Sequence, residues 1–200
     1  MVTVLKPGIN KIMYIFYKQR NEKIHLRELA RETKMYGQSI SRYLNELEKN
    51  KILKSEKVGN LKQYSLKHNK TAYTILTFFD VEKYEKLPHI RKTAIKYYLD
   101  ALPHQPVFAI LFGSTAKENF REDSDIDILL ITNTRIDTKK AEYEADALSA
   151  MKISTFQMTY KDFLTELKLK NDKVVQSAII TGYPIVNHIQ YYGVLYNEPV

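Results

Sequence analysis

Two stretches decide how the back half of this chain is read. They are Val107-Phe108-Ala109-Ile110-Leu111-Phe112-Gly113-Ser114 and, about ten residues on, Asp125-Ile126-Asp127-Ile128-Leu129-Leu130-Ile131. The first is a continuous apolar run that stops at Gly113-Ser114, as suits a strand buried on both faces. The second opens on two carboxylates and runs into another buried strand. Residues i and i+2 of a strand face the same side, so Asp125 and Asp127 point the same way. Two neighbouring carboxylates repel unless a cation lies between them, and hard oxygen ligands beside water and phosphate suit Mg²⁺ or Mn²⁺. A Gly at a strand end allows close backbone approach, and Ser114 adds a hydroxyl and an N–H for phosphate oxygens. Together these residues describe a metal–triphosphate site for in-line attack on an α-phosphate. The plainer alternative is a polar loop, Glu118 to Asp127, that merely begins a strand. The Gly-Ser that ends the preceding apolar strand at the matching distance favours the site.

The whole stretch reads Gly113-Ser114-Thr115-Ala116-Lys117-Glu118-Asn119-Phe120-Arg121-Glu122-Asp123-Ser124-Asp125-Ile126-Asp127. Its Gly-Ser, intervening helix and Ser-Asp-x-Asp resemble the DNA polymerase β-type nucleotidyltransferase superfamily in its minimal form. The resemblance implies that Gly113, Ser114 and Lys117 bind the nucleotide phosphates, and that Asp125 and Asp127 are the catalytic, metal-binding pair. Lys117 stands where many minimal members have Arg, and Glu118 replaces the Gly that often follows. The resemblance continues loosely to about residue 187. Tyr160-Lys161-Asp162-Phe163 opens a helix, and Ala178-Ile179-Ile180-Thr181-Gly182-Tyr183-Pro184-Ile185-Val186 resembles the helix-Gly-strand ending of these domains. One departure bears on turnover. Active members usually carry a third carboxylate on a later strand, as base for the attacking hydroxyl or as a further metal ligand. The candidate strand, Lys152-Ile153-Ser154-Thr155-Phe156-Gln157-Met158-Thr159, has no acid; Asp146 and Asp162 fall outside it. Without that group, transfer is expected to be slow, to need a group from elsewhere, or to be absent.

The front of the chain has a different pattern. Three helices are predicted: Ile9–Tyr17 with Ile9, Ile12, Met13 and Phe16 on one face, Leu26–Arg31, and Gln38–Lys49 with Ile40, Tyr43, Leu44 and Leu47 at helical spacing. Ile52–Val58, Gly59-Asn60 and Leu61–Leu66 then read as a hairpin. Three helices and a hairpin, in that order, resemble a winged helix-turn-helix domain over about residues 8–68. On the third helix, Gln38, Ser39, Ser41, Arg42 and Asn45 lie away from the apolar stripe. They are the residue types that reach base edges and phosphates in a major groove. Lys57, Asn60, Lys62 and Gln63 sit at the hairpin tip, where a wing touches the DNA backbone. The alternative use of such a domain is docking protein, for example as a dimerisation module.

Charge divides the chain in the same way. Residues 1–70 hold 16 Lys and Arg against 6 Asp and Glu, residues 71–104 hold 5 against 4, and residues 105–200 hold 10 against 13. The basic excess therefore lies at the front, where phosphate backbones are the natural partner. Residues 71–101 are helical in pattern, with Pro88 as a break, and Leu102-Pro103-His104-Gln105-Pro106 is a short non-helical joint. The aromatic Gln190-Tyr191-Tyr192-Gly193-Val194-Leu195-Tyr196 reads as core or dimer packing rather than a base-stacking platform.

Absent residues exclude other chemistries. There is no Cys, hence no disulfide framework, thiol nucleophile or thiolate metal site, and the five His are scattered without zinc spacing. No apolar run approaches the roughly 18 residues of a membrane span, and the N-terminus lacks signal-peptide character. A cytoplasmic protein is expected.

The expected fold class is α+β: a winged helix-turn-helix over residues 1–70, a helical connector over 71–104, and a nucleotidyltransferase-type mixed β-sheet flanked by helices over 105–200. The expected function is binding of NTP with Mg²⁺ or Mn²⁺ and transfer of NMP to an acceptor hydroxyl, joined to binding of double-stranded DNA. The acceptor could be a protein, and a toxin is a possible partner. The alternative is a DNA-binding transcriptional regulator, antitoxin-like, whose nucleotidyltransferase domain is inactive or only senses nucleotide. A homodimer is the expected assembly.

Overall fold

In the computed structural model, which describes residues 5–197, Pro7 opens helix α1 (Pro7–Lys18). Its fixed φ suits the first turn, and its missing N–H would find no helical partner there. The stripe Ile9, Ile12, Met13 and Phe16 is buried, as its spacing predicts. Strand β1 (Ile24–His25) leads directly into α2 (Leu26–Thr33), which ends at Lys34 in the left-handed region, φ 55°. Helix α3 (Gly37–Lys49) buries Ile40, Leu44 and Leu47. Strands β2 (Leu53–Val58) and β3 (Leu61–Leu66) pair antiparallel around Gly59-Asn60, and Gly59 takes the φ of +60° that this tight turn requires. The sheet order is β1-β3-β2, with Ile24 opposite Tyr64 and His25 opposite Gln63. Strand β1 has no counterpart in the sequence pattern: two residues carry no periodicity, and only the partners on β3 make them a strand.

The chain divides after Phe79, inside α4 (Lys70–Glu85), into two compact units. In the first, the Phe79 ring lies 5.6 Å from Tyr14 and 5.2 Å from Tyr17.

The second unit is built on a four-stranded mixed sheet. Pro88 precedes α5 (His89–Asp100). Then follow β4 (Phe108–Phe112), α6 (Gly113–Ala116), β5 (Ile126–Thr132), α7 (Lys139–Ser149), β6 (Ile153–Thr159), α8 (Tyr160–Leu169), α9 (Lys173–Thr181), β7 (Tyr183–Val186) and α10 (His188–Asn197). The strand order is β6-β5-β4-β7; β5 and β6 run parallel, and the other neighbours antiparallel. A parallel pair needs a crossover, and α7 lies on it. One face of the sheet packs Ala109, Leu111, Ile126, Ile128, Leu130 and Ile153 against Ala94, Ile95 and Tyr98 of α5 and Ala141 and Ala145 of α7. On the other, Phe108 meets Phe163 of α8 at 5.3 Å and Tyr191 of α10 at 5.6 Å. Each buried Leu, Ile or Phe contributes roughly 1.5–3 kcal/mol, so the two apolar runs are the main source of this core. Tyr191 and Tyr192 are fully buried, and the Tyr192 hydroxyl donates to the buried Asp80 at 2.8 Å. Tyr191 and Tyr192 are thus core, while Tyr196 is half-buried. Among the described residues, no helix is long and apolar enough to cross a membrane.

The mixed α+β class expected from the sequence is the one observed.

Candidate active site

Strand β4 delivers Phe112 opposite Asp127 of β5. The next residue, Gly113, turns with φ +68°, and any Cβ placed there would collide with the Asp127 carboxylate. Only glycine permits both the backbone angle and this approach. The chain then makes the single turn α6, closed by the Lys117 N–H on Gly113 O at 3.2 Å. Ser114 is half-buried and Lys117 is exposed. Glu118 adopts φ 59°, the left-handed region that costs a non-glycine residue roughly 1–2 kcal/mol. The replacement of the usual glycine therefore leaves the turn's backbone angle glycine-like. Lys83 Nζ donates to Ala116 O at 3.0 Å, a contact with no signal in the sequence.

The loop returns through Ser124, whose Oγ accepts from the Arg121 N–H at 2.9 Å, into Asp125. Asp125 immediately precedes β5, and Asp127 is its second residue. Burial, and secondarily the charge of Asp125, raises the Asp127 carboxyl above the ordinary carboxylate range. Lys152, at the entrance to β6, places Nζ 3.3 Å from Asp125 Oδ2. The sequence pattern did not mark this lysine; it reaches Asp125 only because β6 lies parallel to β5. In that register Ser154 is level with Asp127, and Phe156 with Leu129. The Phe156 ring meets Phe112 edge-on at 5.7 Å.

No third acid joins the pair: among the described residues, no group of three His, Asp or Glu side chains assembles. Asp162 lies instead in the first turn of α8, where its N–H donates to Oγ1 of the capping Thr159 at 3.2 Å and its carboxylate accepts from that hydroxyl at 2.7 Å. Asp146 is exposed on α7.

The front unit places its candidate residues on the surface. Gln38, Arg42 and Asn45 are exposed on α3, and Ser39 and Ser41 are half-buried there. The Arg42 guanidinium lies 5.2 Å from the Tyr43 ring. Lys57 and Asn60 are exposed on the hairpin. Lys62 is engaged, 2.7 Å from Glu48 Oε2. That bond raises the Lys62 ammonium; on Glu48, burial pushes upward, but Lys62 and Ser55 outweigh it and hold the carboxyl low. Gln63 turns instead to His25, 2.9 Å away.

Residues 93–189 match the family model described as polymerase beta, nucleotidyltransferase. This stretch is similar to a nucleotidyltransferase domain. Gly113, Ser114, Asp125 and Asp127 all lie within the match, as do all four strands of the second sheet. No curated protein matches the chain.

Proposed function

We propose that the nucleotidyltransferase domain binds NTP with Mg²⁺ or Mn²⁺ and transfers NMP to an acceptor hydroxyl. The observation that carries this reading is the seating of Gly113 against the Asp127 carboxylate, inside the stretch that matches the family. The donor set fits a hard divalent cation: two neighbouring carboxylates, one of them paying a burial cost that a cation would offset. When bound, the ion supplies charge neutralisation on the triphosphate and Lewis acidity at the α-phosphorus. Asp125 and Asp127 hold it. Gly113 and Ser114 present backbone N–H groups and a hydroxyl to the phosphates, and Lys117 adds an exposed cation at the loop. In the transfer, the acceptor oxygen forms a bond to the α-phosphorus as the bond to the pyrophosphate oxygen breaks. Pyrophosphate leaves, and the hydroxyl proton passes to solvent or to a base on the acceptor side, since β6 carries no acid.

The front unit is, on this proposal, a winged helix-turn-helix that binds double-stranded DNA. Gln38, Ser39, Ser41, Arg42 and Asn45 face the major groove, and Lys57, Asn60 and Lys62 of the wing approach the backbone. Its net basic charge and exposed Arg42 support this reading. A homodimer, with a protein acceptor or toxin as partner, remains part of it.

A second reading is favoured by the absent third carboxylate and by the Lys152 ammonium beside Asp125: a DNA-binding regulator whose nucleotidyltransferase domain only senses nucleotide. One experiment separates the two. The chain is incubated with each α-³²P NTP, Mg²⁺ or Mn²⁺ and host lysate, beside the Asp125→Asn/Asp127→Asn double variant. Label moved by the parent chain and not by the variant establishes transfer and identifies the nucleotide. Metal-dependent NTP binding with no label moved establishes the sensor.

A further inference from the structure

Among the described residues, Arg91 on α5 is one of the largest fully buried side chains, 2% exposed. Burial lowers the pKa of its guanidinium. Among the described residues no carboxylate pairs with it. Its partners are all on the segment between β4 and β5. Nη1 donates to Thr115 Oγ1 at 2.9 Å, and Nη2 donates to Arg121 O at 2.8 Å and Ser124 O at 3.1 Å. The guanidinium carbon lies 4.1 Å from the centre of the Phe120 ring.

The position of these partners is what matters. Thr115 directly follows Ser114, and Ser124 directly precedes Asp125. One guanidinium therefore grips both ends of the loop that joins the phosphate-facing residues to the carboxylate pair. A buried cation without a counter-ion is costly and is tolerated only where several oriented acceptors satisfy it. The planar fork bonds Thr115 from one nitrogen and Arg121 and Ser124 from the other, a spread that the compact single ammonium of a lysine does not match. Arg91 also lies two residues before the stretch that matches the family model.

We propose that Arg91 is the positioning residue of the nucleotidyltransferase site, fixing Ser114 and Asp125 in register by clamping the loop between them. This rests on the reading of Gly113, Ser114, Asp125 and Asp127 as the metal–nucleotide site, so the test carries one readout that does not depend on it.

The full chain is compared with Arg91→Lys, Arg91→Ala and, as a control in the same core, Tyr98→Phe, which removes the 2.9 Å bond between Thr155 Oγ1 and the Tyr98 hydroxyl. The first readout is hydrogen exchange of the amides of residues 114–125 without ligand. Both Arg91 variants should exchange about tenfold faster there while β4 and β5 stay protected, and Tyr98→Phe should not. The second is binding of Mn²⁺ with each NTP, followed by the Mn²⁺ spin-resonance signal. Arg91→Lys should weaken binding about tenfold, and millimolar guanidinium should restore part of the loss in Arg91→Ala, a recovery that a generally loosened fold would not show. Loop exchange in Arg91→Lys within twofold of the parent overturns the proposal, as does an equal affinity loss in Tyr98→Phe. If the parent chain binds no Mn²⁺–NTP, the site reading fails by itself, and the loop exchange decides whether Arg91 is the clamp.

Discussion

The two units dispose of their charges in opposite ways. In the front unit, cations stand on the surface: Arg42, Lys57 and their neighbours face water, and Lys6–Glu46, Lys23–Glu56 and Lys62–Glu48 are largely exposed pairs. Such pairs contribute about 0–1 kcal/mol each. What the unit presents outward is a net positive field, long in range and weakened by salt. In the back unit, the charges that shape the fold are taken inward. Arg91 and Asp80 are buried, Asp127 is half-buried, and Glu166 accepts from Asp172 N at 2.9 Å and Gln176 Nε2 at 2.8 Å. These interactions are short, directional and little screened. Counting charge along the chain therefore reveals the first unit's chemistry and hides the second's.

The contrast can be broken most forcefully at Asp127. Asp127→Asn should lower transfer, or Mn²⁺–NTP affinity if the domain only senses, by at least about 100-fold. DNA affinity should stay within about twofold. A parallel loss of DNA binding, read by fluorescence anisotropy, would show that the units do not act independently.

Gly113→Ala tests the inward geometry from the backbone side. The added methyl meets the Asp127 carboxylate in a left-handed turn, so melting should report about 1–3 kcal/mol of lost stability and metal–nucleotide binding should fall with it. An alanine variant as stable as the parent would mean that Asp127 has room to move away.

On the outward side, Arg42→Ala should weaken DNA binding by about 1–3 kcal/mol and leave Mn²⁺–NTP affinity unchanged. Binding by the parent chain should fall steeply between low and physiological salt, and a salt-independent affinity would sink the DNA reading.

The smallest effect is one of pH. Burial holds His188, at the start of α10, below its ordinary value of 6.5. A depressed histidine binds its proton more readily in the unfolded chain. Its contribution to stability is therefore complete above pH 6.5 and is lost as pH falls from there toward the folded-state value. Denaturant titrations at pH 7.5 and 5.5 should differ by less in His188→Gln than in the parent, by under about 1 kcal/mol. Equal pH slopes would place the proton uptake elsewhere.

Much of the fold was legible because its signals are local. The runs at 107–112 and 125–131 appear as β4 and β5, and the helix patterns at 9–17, 26–31 and 38–49 fall within α1, α2 and α3. Gly59-Asn60 turns the hairpin where the dipeptide said it would. The nearness of Gly113 to Asp127 follows from antiparallel pairing of two strands whose ends carry those residues. What escaped has no local signal. Strand β1 is two residues long, Lys152 meets Asp125 across a parallel register, and Lys62 is bound to Glu48 rather than free on the hairpin.

The sequence by itself determined the mixed architecture, the concentration of basic charge at the front, and the placing of a Gly-Ser at the end of one apolar run and an Asp-x-Asp at the start of the next. Periodicity and residue type are enough for these, since each depends on neighbours a few positions away. Only the tertiary structure decided which groups surround the carboxylates: no third acid among the described residues, a lysine beside Asp125, and Arg91 of α5 gripping the loop from 24 and 33 residues away along the chain. Those contacts depend on how a helix packs across a sheet, and packing brings together residues whose separation in sequence carries no period.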